Sequence, residues 1–217
     1  NIEDEYEKKR CLDEIPQSAH GKMIMTTEPK FVPSKAAKVD IDDFSCNVRL
    51  VDCVGYVIDG ARGYEDENGP RMVKTPWYDD EIPFVEAAEI GTEKVIRDHS
   101  SIGIVITTDG SFGDIPRNNY LEAESRVINE LKEIGKPFIM ILNSAHPMLP
   151  DTERLAQDLK EEYDIPVLPM SIEAMNEKDV YSVLKESLYE FPVSEIKVNM
   201  PDWIAVLDSN NWLKKIY

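Results

Sequence analysis

Four short apolar runs constrain this chain most: VRLV at 48–51, IGIVI at 102–106, FIMIL at 138–142 and PVLPM at 166–170. Each is nearly continuous rather than alternating, the signature of strands covered on both faces, as in a parallel sheet. Helical periodicity fills the intervals. Leu121, Val127, Ile128, Leu131 and Ile134 mark one apolar face, Leu155, Leu159 and Tyr163 a second, and Val180, Leu184, Leu188 and Phe191 a third. Strand alternating with helix predicts an α/β fold joined by right-handed crossovers. Local punctuation agrees, with Gly135 placed to close the first helix and Asp151–Thr152 to cap the second, Pro150 lying just outside.

Two regions break the alternation. Residues 59–81 form an insertion rich in Gly, Pro and acid, long for a connection. Past Pro192, Ile196, Val198 and Met200 alternate like a half-buried strand. The expected division is therefore a domain over 1–192 and the opening of another over 193–217. At the other end, residues 2–14 read as a charged helix running into Pro16, and residues 17–36 as loop with a short extended piece. The chain starts at Asn1 inside that helical pattern, which predicts a segment of a longer protein.

Charge narrows the partners. With 42 acidic and 24 basic residues the net charge is -18, a field that repels phosphate backbones, so no nucleic-acid partner is expected. A nucleotide remains compatible, because backbone N–H groups and a metal ion can meet its phosphates locally. Cys11, Cys46 and Cys53 have neither zinc spacing nor an even count, and read as reduced thiols in a cytoplasmic protein. His20, His99 and His146 lack ligand spacing. No apolar run approaches the roughly 18 residues of a membrane span, and no signal-peptide pattern is legible. The acidic strings at 65–67 and 79–81 read as solvated loop, and Trp203 and Trp212 as core or interface.

The chemistry centres on Asp52. It ends the VRLV run, where a ligand site lies in an open α/β sheet, and Gly55 follows in a D-x-x-G turn. Such an acid can hold Mg²⁺ beside a triphosphate, and a glycine lets its N–H approach a γ-phosphate closely. Thr26 and Thr27, in the loop MTTEPKF, are candidates to ligate the metal and sense that phosphate; the alternative is a pair of surface threonines.

The runs MTTEPKFVP, VRLVDCVGYVIDGARGYEDENGPRMVKTPWYDDEIPFVEAAEIGTEKVIRDHSSIGIVITTDGSF and PFIMILNSAHP resemble the stage IV sporulation protein A family over nearly the whole chain. The resemblance implies a three-layer P-loop NTPase-like domain with a mostly parallel sheet, akin to translation-factor GTPases. It implies ATP hydrolysis with Mg²⁺, driving self-association into the basement layer of the spore coat. It further implies a location in the mother-cell cytoplasm at the forespore surface, with partners in a small amphipathic forespore-membrane peptide and other coat proteins. Carried over by position, Thr26, Thr27 and Asp52 are catalytic, Thr27 and Asp52 hold the metal, and Gly55, Asn143 and His146 contact the nucleotide.

The departures matter. Asn143-Ser144-Ala145-His146 has histidine where a GTPase has the aspartate that pairs with guanine, so guanine selectivity should be lost. The structural alternative for Asn143 and His146 is a polar turn. Tyr56 follows Gly55 where many relatives carry a water-orienting glutamine. Arg62, Arg71 and Arg117 are candidate charge donors to phosphate oxygens, each with surface salt bridging as the alternative. No G-x-x-x-x-G-K-[ST] occurs, so the first strand and phosphate loop are expected upstream of Asn1, and the segment alone is expected to be inactive. Two other functions stay open: a non-catalytic scaffold of this fold, and a guanine-nucleotide switch.

Overall fold

The FIMIL run carries the core. Ile139, Met140 and Leu142 have no exposed surface, and Phe138 and Ile141 are buried with them. Alternate side chains leave a strand on opposite faces, and each face meets its own helices. Phe138, Met140 and Leu142 pack with Ile128, Leu131, Ala156 and Leu159, while Ile139 and Ile141 pack with Val183. Full burial of each such side chain contributes about 1.5–3 kcal/mol. A computed structural model describes residues 30–192 apart from 43, 67, 68 and 76. The predicted helix before Pro16, the threonine loop at 26–27 and the stretch 193–217 lie outside the described residues.

In chain order the strands are β1 (Lys30–Ile41), β2 (Phe44–Asp52), β3 (Glu65–Asp66), β4 (Gly69–Pro70), β5 (Met72–Thr75), β6 (Tyr78–Pro83), β7 (Gly103–Thr108), β8 (Phe138–Asn143) and β9 (Val167–Met170). The α-helices are α1 (Phe84–Lys94), α2 (Leu121–Ile134), α3 (Pro150–Tyr163) and α4 (Glu177–Tyr189). Strands β7, β8 and β9 form a parallel sheet in that order, with Thr108 opposite Asn143 and Asn143 opposite Met170. Helices α2 and α3 cover one face and α4 the other. Three of the four apolar runs thus become the parallel sheet.

The fourth does not. VRLV lies in β2, which pairs antiparallel with β1 in a separate two-stranded ribbon. Leu50 is 56% exposed, so the expectation of a strand covered on both faces fails here. The signal against it was Arg49, which is exposed and stacks its guanidinium 4.7 Å over the Phe31 ring. Strand β1 also replaces the loop expected through residue 36. Pro33 argued against a strand, but an edge strand tolerates a missing N–H, and the register shifts between Val32 and Ala37. The ribbon's turn is clasped by α4: the Tyr181 hydroxyl donates to Asp42 Oδ1 at 2.6 Å, and Lys185 Nζ lies 2.8 Å from Oδ2.

The insertion at 59–81 is two further ribbons, β3–β4 and β5–β6, rather than one loop. After it comes α1, which no apolar periodicity announced. Its buried face is Phe84, Ala87, Ala88, Gly91 and Thr92, mostly small residues that pack closely while adding little hydrophobic signal. Helix α2 ends as expected: Gly135, at φ 71°, turns left-handed, and the Lys136 N–H reaches back to the Leu131 carbonyl at 3.1 Å. At α3 the expected cap is corrected. Leu149 is the N-cap and Pro150 the first helical residue, where a missing N–H costs nothing, and Thr152 is buried.

Candidate functional site

Ligands of parallel α/β sheets bind beyond the carboxyl ends of the strands, and that edge here is polar. Strand β7 ends at Thr107 and Thr108, both buried, followed by Asp109; β8 ends at Asn143, followed by the fully buried Ser144. The Asn143 side chain accepts the Ile172 N–H at 3.0 Å, which ties the end of β8 to the segment after β9. The His146 N–H donates to Ser144 Oγ at 3.0 Å, and its carbonyl accepts from Thr152 Oγ1 at 3.2 Å. These bonds fix the main chain of the turn 143–146 while His146 stays exposed. The sheet thus brings the predicted Asn143 and His146 together at its carboxyl edge.

Asp109 joins them, and the sequence reading missed it. Its Oδ1 accepts from the Ser111 N–H at 2.9 Å and the Ser111 hydroxyl at 2.5 Å, and its Oδ2 lies 3.4 Å from Thr152 Oγ1. Burial raises the carboxyl's affinity for protons, but hydrogen bonds from Ser111, Ser144 and Thr152 outweigh it and hold Asp109 below the usual carboxylate range. The signal was available: IGIVITTD, like VRLVD, places an acid directly after an apolar run. Gly110 makes the loop possible. It sits at φ 85°, and a Cβ there would lie 2.8 Å from the Arg117 backbone nitrogen. Gly110→Ala is expected to cost about 2–3 kcal/mol, from left-handed strain plus a forced backbone shift. A urea unfolding midpoint unchanged from wild type would contradict this.

Asp52 and Gly55 occupy a different loop. Asp52 is exposed at the end of β2, so no burial needs offsetting. The Gly55 N–H donates to Thr92 Oγ1 of α1 at 3.1 Å. Tyr56 gives its hydroxyl proton to Glu130 of α2, and the Arg126 guanidinium stacks 4.2 Å over its ring while forking onto Glu89 at 2.7 and 2.9 Å. Burial and the Glu130 carboxylate push the Tyr56 phenol well above its usual range, so it stays protonated. Cys53 is free, and burial raises its thiol, which fits a packing role rather than a nucleophile. The D-x-x-G loop is therefore docked on α1 and α2.

The arginines divide. Arg117 does not salt-bridge at the surface: it forks onto Glu124 at 2.5 and 2.8 Å and donates to Thr107 Oγ1 at 2.8 Å, with the Glu124 side chain 2% exposed. Its charge is committed to that carboxylate. Arg71 stacks 4.9 Å from the Phe84 ring centre and donates to the Gly63 carbonyl, while Arg62 is exposed.

Among the described residues no three His, Cys, Asp or Glu side chains group as a metal cage. Mg²⁺ keeps most of its waters and takes one or two carboxylates plus substrate phosphates; the exposed Asp52 carboxylate fits the chemistry of such a ligand. A cavity of about 320 Å³ opens among Lys132, Lys136, Phe138, Asp164 and Ile165. It lies at the amino end of β8, opposite the polar edge. No described helix is long and apolar enough to cross a membrane.

Comparison with known proteins bears on this geometry. Residues 1–192 match the family model described as stage IV sporulation protein A, ATPase domain. Proteins named stage IV sporulation protein A are 62% identical in Bacillus anthracis and 63% identical in Bacillus subtilis (strain 168), each over 218 residues and the whole of this chain. One in Clostridioides difficile (strain 630) is 50% identical over 215 residues, or 99% of the chain. The chain spans 44% of the length of each of these relatives. An extended family match and identities of this size, over a chain with an α/β parallel-sheet core, leave one assignment: the chain belongs to the stage IV sporulation protein A family, with residues 1–192 in its ATPase domain.

Proposed function

We propose that the chain is the greater part of a P-loop NTPase-like domain that hydrolyses ATP in the full-length protein and thereby drives self-assembly of the spore coat basement layer. The observation that carries this is the turn Asn143–His146, held rigid at the carboxyl edge of the parallel sheet with an imidazole in place of a guanine-pairing acid. Asp52 with Thr27 would hold Mg²⁺, which when bound neutralises charge on the phosphate oxygens. Thr26 would sense the terminal phosphate. The Gly55 N–H reaches that phosphate only by leaving Thr92, so phosphate contact and undocking of the loop from α1 are one event. Tyr56, whose proton goes to Glu130, does not orient the attacking water.

Assembly partners, by this proposal, are further copies of the protein, a small amphipathic peptide on the forespore membrane and other coat proteins, met in the mother-cell cytoplasm. Calorimetry on the full-length protein tests the nucleotide. ATP is expected to bind at least about tenfold tighter than GTP, because an imidazole has no pair of oxygens to accept the paired guanine donors; equal or tighter GTP binding overturns the proposal in favour of a guanine switch. A scaffold without turnover is the second reading, favoured by the docking of Gly55 and Tyr56. Light scattering separates the two: assembly that needs hydrolysable ATP supports the enzyme, and assembly indifferent to nucleotide supports the scaffold.

A further inference from the structure

The loop after β7 splints the turn after β8 with one hydrogen bond in each direction. The Asp109 N–H donates to the Asn143 carbonyl at 3.3 Å, and the Ala145 N–H donates to Ser111 Oγ at 2.8 Å. Ser111 in turn gives its proton to Asp109 Oδ1. An ionised carboxylate accepts only, so Asp109 forces the Ser111 proton toward itself and leaves a Ser111 lone pair facing Ala145. Hydrogen bonds arranged head to tail in this way strengthen one another. The Thr152 hydroxyl shares its one proton between two acceptors, the second Asp109 carboxylate oxygen at 3.4 Å and the His146 carbonyl at 3.2 Å, and lies 3.5 Å from Ser144 Oγ. Asp109 therefore touches both flanks of the turn, through Ser111 on one side and Thr152 on the other, without entering it.

The rest of the loop keeps that carboxylate in place. Gly110 passes against the Arg117 backbone, and Arg117 is itself anchored to Thr107 and Glu124. The path from β7 to Ser111 is thereby pinned on both sides.

We propose that Asp109 is a positioning residue: through Ser111 and Thr152 it sets the orientation of the Ala145–His146 main chain, and so the discrimination between adenine and guanine at that turn. This rests on the adenine-nucleotide role proposed above. An amide at 109 presents two donors toward Thr152 or Ser111, reverses at least one bond of the series and frees the turn to shift.

The test uses full-length protein, wild type, Asp109→Asn and Ser111→Ala. Affinities for ATP and GTP are read by calorimetry, KM and kcat from steady-state hydrolysis, and thermal midpoints in parallel. Asp109→Asn is expected to weaken ATP binding about tenfold, as a misplaced recognition group does, and to shrink the ATP-to-GTP affinity ratio. KM should rise by more than kcat falls. Ser111→Ala, which removes the relay but keeps the carboxylate, should move the ratio the same way by a smaller factor, and it decides the matter if Asp109→Asn does not fold. Should wild type discriminate while both variants keep its ratio and only lose thermal stability, Asp109 is a structural hub and the positioning role is wrong. Should wild type show no preference for ATP, the adenine role itself fails and this proposal falls with it.

Discussion

Asp52→Ala in the full-length protein should lower ATP turnover by about two to three orders of magnitude, or about 3–4 kcal/mol of transition-state stabilisation. The same variant should shift the thermal midpoint by no more than about 1 °C. Both expectations follow from where the residue stands. Asp52 ends β2 with its side chain in solvent, so its removal opens no cavity and orphans no buried partner. A carboxylate exposed at a strand end has little to do for the fold and is available to a hydrated cation. Turnover and midpoint must separate for the assignment to stand. If turnover stays within about threefold of wild type, Asp52 is not the metal-holding acid. If activity and stability fall together, its effect runs through folding.

The second large effect is on stability. Arg117→Ala should cost about 3–5 kcal/mol, because it leaves Glu124 charged and unpaired where its side chain is 2% exposed. For a domain of this size that corresponds to a fall of roughly 10 °C in thermal midpoint. The Tyr163 hydroxyl, 3.2 Å from Glu124, does not replace a forked guanidinium. Adding Glu124→Gln should recover about half the loss, since a neutral amide still accepts from Tyr163 without a buried charge. A double variant no more stable than Arg117→Ala would mean that the loss came from packing around Thr107 and not from the ion pair.

The two predictions separate roles that the sequence left mixed. Asp52 and Arg117 both stood as candidates for phosphate chemistry. Only their surroundings distinguish them: one carboxylate faces water with no ion-pair partner among the described residues, and one guanidinium is spent on a carboxylate in the same buried corner. A charge whose partner sits seven residues away, in the first turn of α2, is hard to recognise in sequence, because nothing local says that both side chains turn inward. Asp109 was missed for a related reason. Its importance comes from Ala145 and Thr152, which approach it from other elements across 34 to 43 positions of chain, counted between the bonded residues Ser111 and Ala145 and between Asp109 and Thr152.

Elements whose identity rests on local periodicity were legible. The runs at 102–106, 138–142 and 166–170 became the parallel sheet, and the three helical patterns became α2, α3 and α4, although α4 is buried through Val183 and Ser187 while Val180 and Phe191 of its expected apolar face stay exposed. Gly135 closed α2 because a left-handed residue is a local requirement that glycine meets at least cost. What the amino-acid order determined by itself was therefore the alternation of strand and helix and the place of the turn Asn143–His146 at the end of a buried strand. Tertiary structure alone decided that VRLV leaves the parallel sheet for a ribbon with β1, that Gly55 and Tyr56 dock on α1 and α2, and which charges are free. The physical reason is common to all three. Periodicity reports how much of a segment is covered, whereas strand pairing and ion pairing depend on which distant group does the covering.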